Sequence, residues 1–344
     1  MNYIDKVDKK IRDVFNIFEK DYPVWLNDYI ETDVMQKQQY ISVTCGKVYS
    51  NLFNIGDYNS LDHSIGVALI VWHFTHDKKQ TLAGLFHDIA TPVFKHCVDF
   101  LNGDWMMQES TEDLTREIIK SSTEIMALLK RDNIELDDVC DYHIYPIADN
   151  DTPKLSADRL EYSLTNPCFI YPYVDLEWIE NIYNDIEVET NEDGIEELGF
   201  KTKKIAREFM KITSRLSVDY RDHETRFFMQ AIADICKKVS NENILSKKDL
   251  YELKEIDVIN RLKTSKYKDV FNKLLDINKI NVSKEKPEDM YFVNHGAKVR
   301  YIDPLFNGNR MSKECKIVNK IIEKNLSYDM DYYLYVDKDF NVLI

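Results

Sequence analysis

Apolar residues recur along this chain with the period of a helix far more often than with that of a strand. Ile11, Val14, Phe15 and Phe18 fall on one helical face within residues 5–20, and a second apolar-periodic stretch follows Pro23. NIGDYNS (54–60) is the first clear loop, rich in Gly, Asn and Asp. HSIGVALIVWHF (63–74) is apolar on nearly every side, which predicts a fully buried helix. KKQTLAGLFHDIA (78–90) puts Leu82, Leu85, Phe86 and Ile89 on one stripe. That helix should end ahead of Pro92, with His87 and Asp88 in its last turn.

Residues 111–130 read as helix again, with Ser121 and Glu124 spaced as a capping box. Ser156 is placed to cap a helix carrying Asp158, Arg159, Leu160, Tyr162 and Leu164. Residues 181–197 are acidic and weakly patterned, the signature of an exposed loop or insertion. Helical periodicity returns over 203–239 and 248–275. Beyond residue 290, YFVNHGAKVRYIDPLF and YYLYVDKDFNVLI are rich in Tyr, Val and Ile and predict a few strands. The tail tyrosines Tyr332, Tyr333 and Tyr335 read as core or interface. The expected architecture is mainly α, with a small β element near the C-terminus and no internal repeat.

Composition sharpens this picture. With 9 Gly and 8 Pro in 344 residues, turn formers are too scarce for a sandwich or barrel of many short strands. A net charge of −15 argues against binding a nucleic-acid backbone as the main role. Six scattered cysteines without a CxxC pair suit reduced thiols better than a disulfide framework. The charged start MNYIDKVDKKIRDVFNIFEK lacks the apolar core of a signal peptide. No window approaches the ~18 uninterrupted apolar residues of a membrane span. A cytoplasmic protein with no membrane partner is expected.

The candidate chemistry lies in His63, the His87-Asp88 pair and Asp158. Two imidazoles and two carboxylates suit one divalent ion among Mn, Fe, Co, Ni, Zn and Mg. His63 begins one helix and His87 ends the next, so an antiparallel pair would bring both to the same end. Asp158 would complete the set from a separate helix. An unpaired Asp88 carboxylate among Leu85, Phe86 and Ile89 would be costly, which favours a bound cation. Lys95, Arg159, Lys298 and Arg300 are the candidates for binding phosphate. His73 and His76 read as structural or solvated, whereas His143, His223 and His295 have no spacing partner.

LDHSIGVALIVW (61–72), LAGLFHDIATPVFKH (82–96) and LSADRLEYSL (155–164) together resemble the HD superfamily of metal-dependent phosphohydrolases. They look most like the branch of deoxynucleoside triphosphate triphosphohydrolases, and KVRYIDPLF (298–306) is similar to a Lys-x-Arg…Asp-Pro segment of that branch. The resemblance covers residues 40–165 well and 250–306 loosely. It implies an HD-domain helical fold in which His63, His87, Asp88 and Asp158 hold one metal. It also implies that His96 protonates the leaving group or positions the attacking water, a role that suits an ordinary imidazole pKa of about 6.5. The implied substrate is a phosphorylated small molecule, a nucleotide, and many relatives self-associate. The corresponding organisation is an N-terminal helical segment at 1–40, a metal-binding core at 41–180, and a helical continuation with C-terminal strands at 181–344, in one compact unit.

Departures from that pattern refine the expectation. Thr91 stands where relatives carry a His or Glu, and Gln108-Glu109 where they carry His-Glu. That loss of imidazoles favours one metal over two and leaves Glu109 as an acid/base candidate beside His96 and Asp88. Ser60 replaces an Arg that binds phosphate in the triphosphohydrolases. Two readings follow: a hydrolase of phosphate esters or anhydrides, or a nucleotide-binding regulatory module with weakened turnover.

Overall fold

The computed structural model describes residues 2–107 and 114–340. Its centre is the helix Ser60–Thr75, opened by Asn59, whose side chain accepts from the Asp62 amide. Every residue from Ser60 to Val71 is buried, as its nearly unbroken apolar sequence demands. Lys9–Phe18, Lys78–Phe86 and Ala157–Phe169 pack around it. Lys9–Phe18 is amphipathic and turns Val14, Phe15 and Phe18 inward. Asp77 caps Lys78–Phe86 through the amides of Lys79 and Gln80. That helix closes at His87, and Asp88 lies one step beyond it in the turn that leads to Pro92. Ser156 caps Ala157–Phe169 as expected, accepting from the Arg159 amide.

The helical patterning of 203–239 resolves into Lys203–Asp219 and His223–Asn241. That of 248–275 becomes three shorter helices, Lys247–Glu252, Glu255–Thr264 and Lys268–Asp276. Two hydrophobic cores result. The first gathers Phe15, Ile65, Leu69, Leu160 and Phe209; the second gathers Phe94, Phe100, Phe228, Ile259 and Leu334. Among the described residues no helix is long and apolar enough to cross a membrane.

The strands are β1 (Ile186–Thr190), β2 (Glu196–Phe200), β3 (Asn281–Ser283), β4 (Phe292–Val293), β5 (Leu305–Phe306), β6 (Asn309–Arg310) and β7 (Tyr333–Tyr335). One sheet has the order β1-β2-β5-β6, with β2 and β5 parallel; the other is the antiparallel β3-β7-β4. The C-terminal strands match the expectation, and Leu334 at the centre of β7 is fully buried.

Two local expectations are overturned. The acidic stretch 181–197 is no exposed loop, because it ends the helix Leu176–Tyr183 and then builds the β1–β2 hairpin. Its charge is absorbed by Arg310, which bonds Glu197 through Nη1 (2.6 Å) and Nη2 (2.8 Å) and reaches Glu192 through Nη2 (2.8 Å). The second helical piece near residue 121 is capped by Ser122, which accepts from the Ile125 amide. Ser121 turns back to the Ile118 carbonyl, and Glu124 accepts from the Asp33 amide instead of closing a box.

Glu197 is wholly buried and Arg310 nearly so. Removing one partner strands a charge away from water, so Arg310→Met should lower the unfolding free energy by about 3–5 kcal/mol. Urea denaturation measures this, and a loss under about 1 kcal/mol would show that Glu197 finds other partners.

Candidate metal centre and its cavity

Three segments converge where the sequence places its ligands. His63 comes from the first turn of Ser60–Thr75, His87 and Asp88 from the end of Lys78–Phe86, and Asp158 from the first turn of Ala157–Phe169. The two histidine Nε2 atoms lie 3.1 Å apart. Asp158 Oδ1 is 3.2 Å from His63 Nε2 and 3.6 Å from His87 Nε2. Asp88 Oδ2 is 3.9 and 3.8 Å from the same two nitrogens. His63, His87 and Asp88 each offer a donor within 4.8 Å of the others, a grouping able to hold a metal ion. Asp158 adds a second carboxylate against both rings.

The opposite ring nitrogens are already engaged. His87 Nδ1 donates to the Gly84 carbonyl at 2.7 Å, which leaves Nε2 as its lone-pair face. His63 Nδ1 donates to Glu161, a carboxylate with no solvent exposure whose other oxygen accepts from Tyr58 Oη at 3.0 Å. Glu161 follows Asp158 by three residues, so both side chains fall on one helical face. Gly66 makes room for it: a Cβ there would lie 2.8 Å from Glu161 Cγ and Oε1. The sequence reading missed Glu161, although its i+3 spacing from Asp158 was the available signal.

The cluster is electrostatically primed for a cation. Burial opposes charge on His63, but Glu161 and Asp158 outweigh it and push the imidazole up to about 10. Burial likewise opposes charge on Asp88, yet Lys95, His87 and His63 hold it well below the usual carboxylate range. Asp158 is held low against the same burial by His63 and His87. Apart from the share of Lys95 at Asp88, these shifts reflect carboxylates crowding the imidazoles, which rewards positive charge at their centre.

Lys95 does not face outward to a ligand alone, since its Nζ bonds Asp88 Oδ2 at 2.5 Å. It gets there by a left-handed turn in which Phe94 (φ 63°) and Lys95 (φ 43°) both leave the ordinary backbone regions. The Phe94 amide donates to buried Glu255 Oε2 at 3.4 Å, and burial pushes the Glu255 carboxyl up to about 8. His96 follows directly. Its Nδ1 meets Asp99 Oδ2 at 2.9 Å and its Nε2 accepts from Arg300 Nη2 at 3.3 Å. Burial lowers the His96 pKa, and Arg300 adds to that against the hydrogen bond to Asp99, which favours the neutral ring.

A cavity of about 390 Å³ opens over the cluster and is lined by His63, His87, Asp88 and Asp158, by Lys95 and His96, and by Arg159, Lys298 and Arg300. The phosphate-binding candidates therefore share one chamber with the metal ligands. Arg159 is partly committed, since its Nη1 bonds Asp149 (3.0 Å) and Asn150 (2.8 Å). His143, unassigned from the sequence, also lines the chamber and lies 3.6 Å from Asp149. Thr91 lines only a small side pocket, Ser60 is buried in its helix, and Gln108 and Glu109 fall outside the described residues. His73 bonds Glu19, as a structural histidine would.

No protein-family model matches the chain. The uncharacterized protein YdhJ of Bacillus subtilis (strain 168) is 23% identical over 266 residues, spanning 76% of this chain and 78% of that protein. A hypothetical protein from Aquifex aeolicus shares the fold with a TM-score of 0.63 at 17% identity, over 92% of this chain and 93% of the other. A phosphohydrolase from Bacteroides thetaiotaomicron VPI-5482 does so with a TM-score of 0.60 at 14% identity, over 90% and 94%. The chain thus has the fold of a solved phosphohydrolase and carries a metal-competent His-His-Asp group at one site.

Two outcomes follow. Glu161→Gln and Gly66→Ala should each weaken divalent-metal binding roughly 10- to 100-fold, because both unseat the partner that orients His63. Equilibrium dialysis with elemental analysis reads this, and unchanged affinity in both variants would remove Glu161 from that role. Separately, Glu255 titrates near 4.5 when unfolded and near 8 when folded, so the folded chain binds that proton more tightly. Its stabilising effect is complete below the lower value and is lost as pH rises to the upper one. Glu255→Gln should flatten that decline in denaturation curves taken at about pH 5, 7 and 8.5; an unchanged slope would assign it to another group.

Proposed function

We propose that the chain is a metal-dependent phosphohydrolase of the HD superfamily, acting on a phosphate ester or anhydride of a nucleotide. One observation carries the reading: two imidazole Nε2 atoms with their rear nitrogens fixed meet two aspartates at the floor of a cation-rich cavity. The donor set fits a single borderline divalent ion held by His63, His87, Asp88 and Asp158. Such an ion supplies Lewis acidity and a water acidified enough to attack phosphorus near neutral pH.

The protein's own groups do the rest. Lys298 and Arg300 place positive charge where a phosphate enters, and Arg159 can add part of its guanidinium while Asp149 fixes its position. Lys95 neutralises Asp88 and keeps that carboxylate aimed at the cluster. His96 has Asp99 behind it, and its Nε2, which accepts from Arg300 at rest, takes up or relays a proton once Arg300 turns to the phosphate. The fold of the Bacteroides phosphohydrolase supports this reaction class, and the nucleotide rests on the sequence resemblance.

Purified protein should hold one divalent ion per chain and hydrolyse members of a nucleotide and phosphoester panel. Asp88→Ala should lose both, and His96→Ala should keep the metal while kcat falls by about 10²- to 10⁴-fold. Metal-loaded protein that is inert across the panel, or an Asp88→Ala variant as active as the parent, would refute the reading.

A further inference from the structure

The cavity contains one cation that the phosphate chemistry above leaves unused. Gly46 adopts a left-handed φ of 78°, and a Cβ there would sit 2.9 Å from the Phe94 ring, so only glycine fits. The turn it makes sends Lys47 into the cavity wall, where the residue is 5% exposed. Its ammonium donates to Tyr171 Oη at 2.9 Å and Thr225 Oγ1 at 3.5 Å, with the Phe53 ring 5.3 Å away. No carboxylate lies in ion-pair reach of it among the described residues. Burial favours the neutral amine, but Tyr171 and Asp222 hold the group up to about 12, so it stays charged. A buried ammonium whose nearest countercharge, Asp222, acts only from beyond contact distance is costly unless function retains it.

The surroundings indicate what it meets. Tyr162, Tyr171 and Tyr220 line the same cavity, and Asn166 Nδ2 holds the Tyr220 hydroxyl at 2.8 Å. Flat aromatic walls suit a flat ring. Two of the three Lys47 donors are spent on hydroxyls, so one N–H remains for the ligand. One donor matches a ring carbonyl better than an oxyanion, which seeks several donors and finds them at Lys298, Arg300 and Arg159.

We propose that Lys47 reads the base of the substrate: it donates to the carbonyl at purine C6 or pyrimidine C4, and so selects bases that are keto at that position (guanine, uracil) over those that are amino there (adenine, cytosine). An exocyclic amino group would turn its own N–H donors towards the ammonium and leave both unpaired. The inference rests on the nucleotide reading above and adds the class of base.

The test compares matched pairs of triphosphates, guanosine against adenosine and uridine against cytidine, by calorimetric binding and by kcat/KM. The keto member should be favoured roughly ten- to a hundredfold, the range of a hydrogen bond to a charged donor. Lys47→Met keeps the length of the stem and should bring the ratio close to one. If that variant does not fold, the wild-type ratio and Thr225→Val, which removes one of the two hydroxyls holding the ammonium and should shrink the preference, decide the matter. Equal use of both members by the wild type overturns this inference alone. Failure to bind any nucleotide while 4-nitrophenyl phosphate is still cleaved overturns it together with the nucleotide class, and leaves the hydrolase reading standing.

Discussion

The contact on which the site depends is the bond from His63 Nδ1 to Glu161. A fully buried carboxylate is tolerable only when its oxygens are matched, and here Tyr58 and His63 match them both. That requirement fixes three things together: the loop before Ser60–Thr75, the rotation of that helix, and the height at which Ala157–Phe169 crosses it. The crossing is close because Gly66 presents no side chain there. With the register set by Glu161, Asp158 one turn earlier has no freedom left and faces the two imidazoles. The metal-competent geometry is therefore tied to core packing.

Around this negative floor the protein distributes positive charge unevenly. Lys95 is bound directly to a ligand carboxylate and is delivered by a strained turn; Arg159 is braced by Asp149; Arg300 leans on His96. Strain held in the Phe94-Lys95 turn is the kind of cost that persists where placement matters. His96 differs from the sequence expectation in one respect. Burial and Arg300 lower its pKa, which favours the neutral ring at rest and makes the protonated ring, once formed, a readier donor than an ordinary imidazolium.

Much of this was legible in the sequence because helices advertise themselves through local periodicity. The apolar run 63–74, the stripe from Leu82 and the Ser156 cap all depend on neighbours within a few residues; the run and the cap appear where expected, whereas the striped helix runs only to Phe86 and leaves Asp88 and Ile89 in the turn before Pro92. The convergence of the four candidate ligands was legible because spacing places each near a helix end. What escaped was set by distant partners. The acidic stretch 181–197 looked solvated because its counter-charge, Arg310, lies over a hundred residues away. Ser122 displaced Ser121 as a cap because Glu124 was drawn to the Asp33 amide in another segment. Lys47 gave no signal, since nothing in its neighbourhood marks a lysine as buried until Tyr171 and Thr225 fold against it.

The cavity's walls are divided between the two hydrophobic cores. The candidate metal ligands are rooted in the first, around Ile65, Leu82 and Leu160, whereas Cys45, Phe94 and Met229, which flank Lys47, His96 and Thr225, belong to the second. The two walls can therefore diverge independently. Substitutions that repack the second core can reshape the far wall of the cavity while the His63, His87, Asp88 and Asp158 cluster stays untouched. A scaffold built in this way can hold one wall constant through long divergence while the other changes, and at 14% identity the fold itself is what this chain shares with the Bacteroides protein.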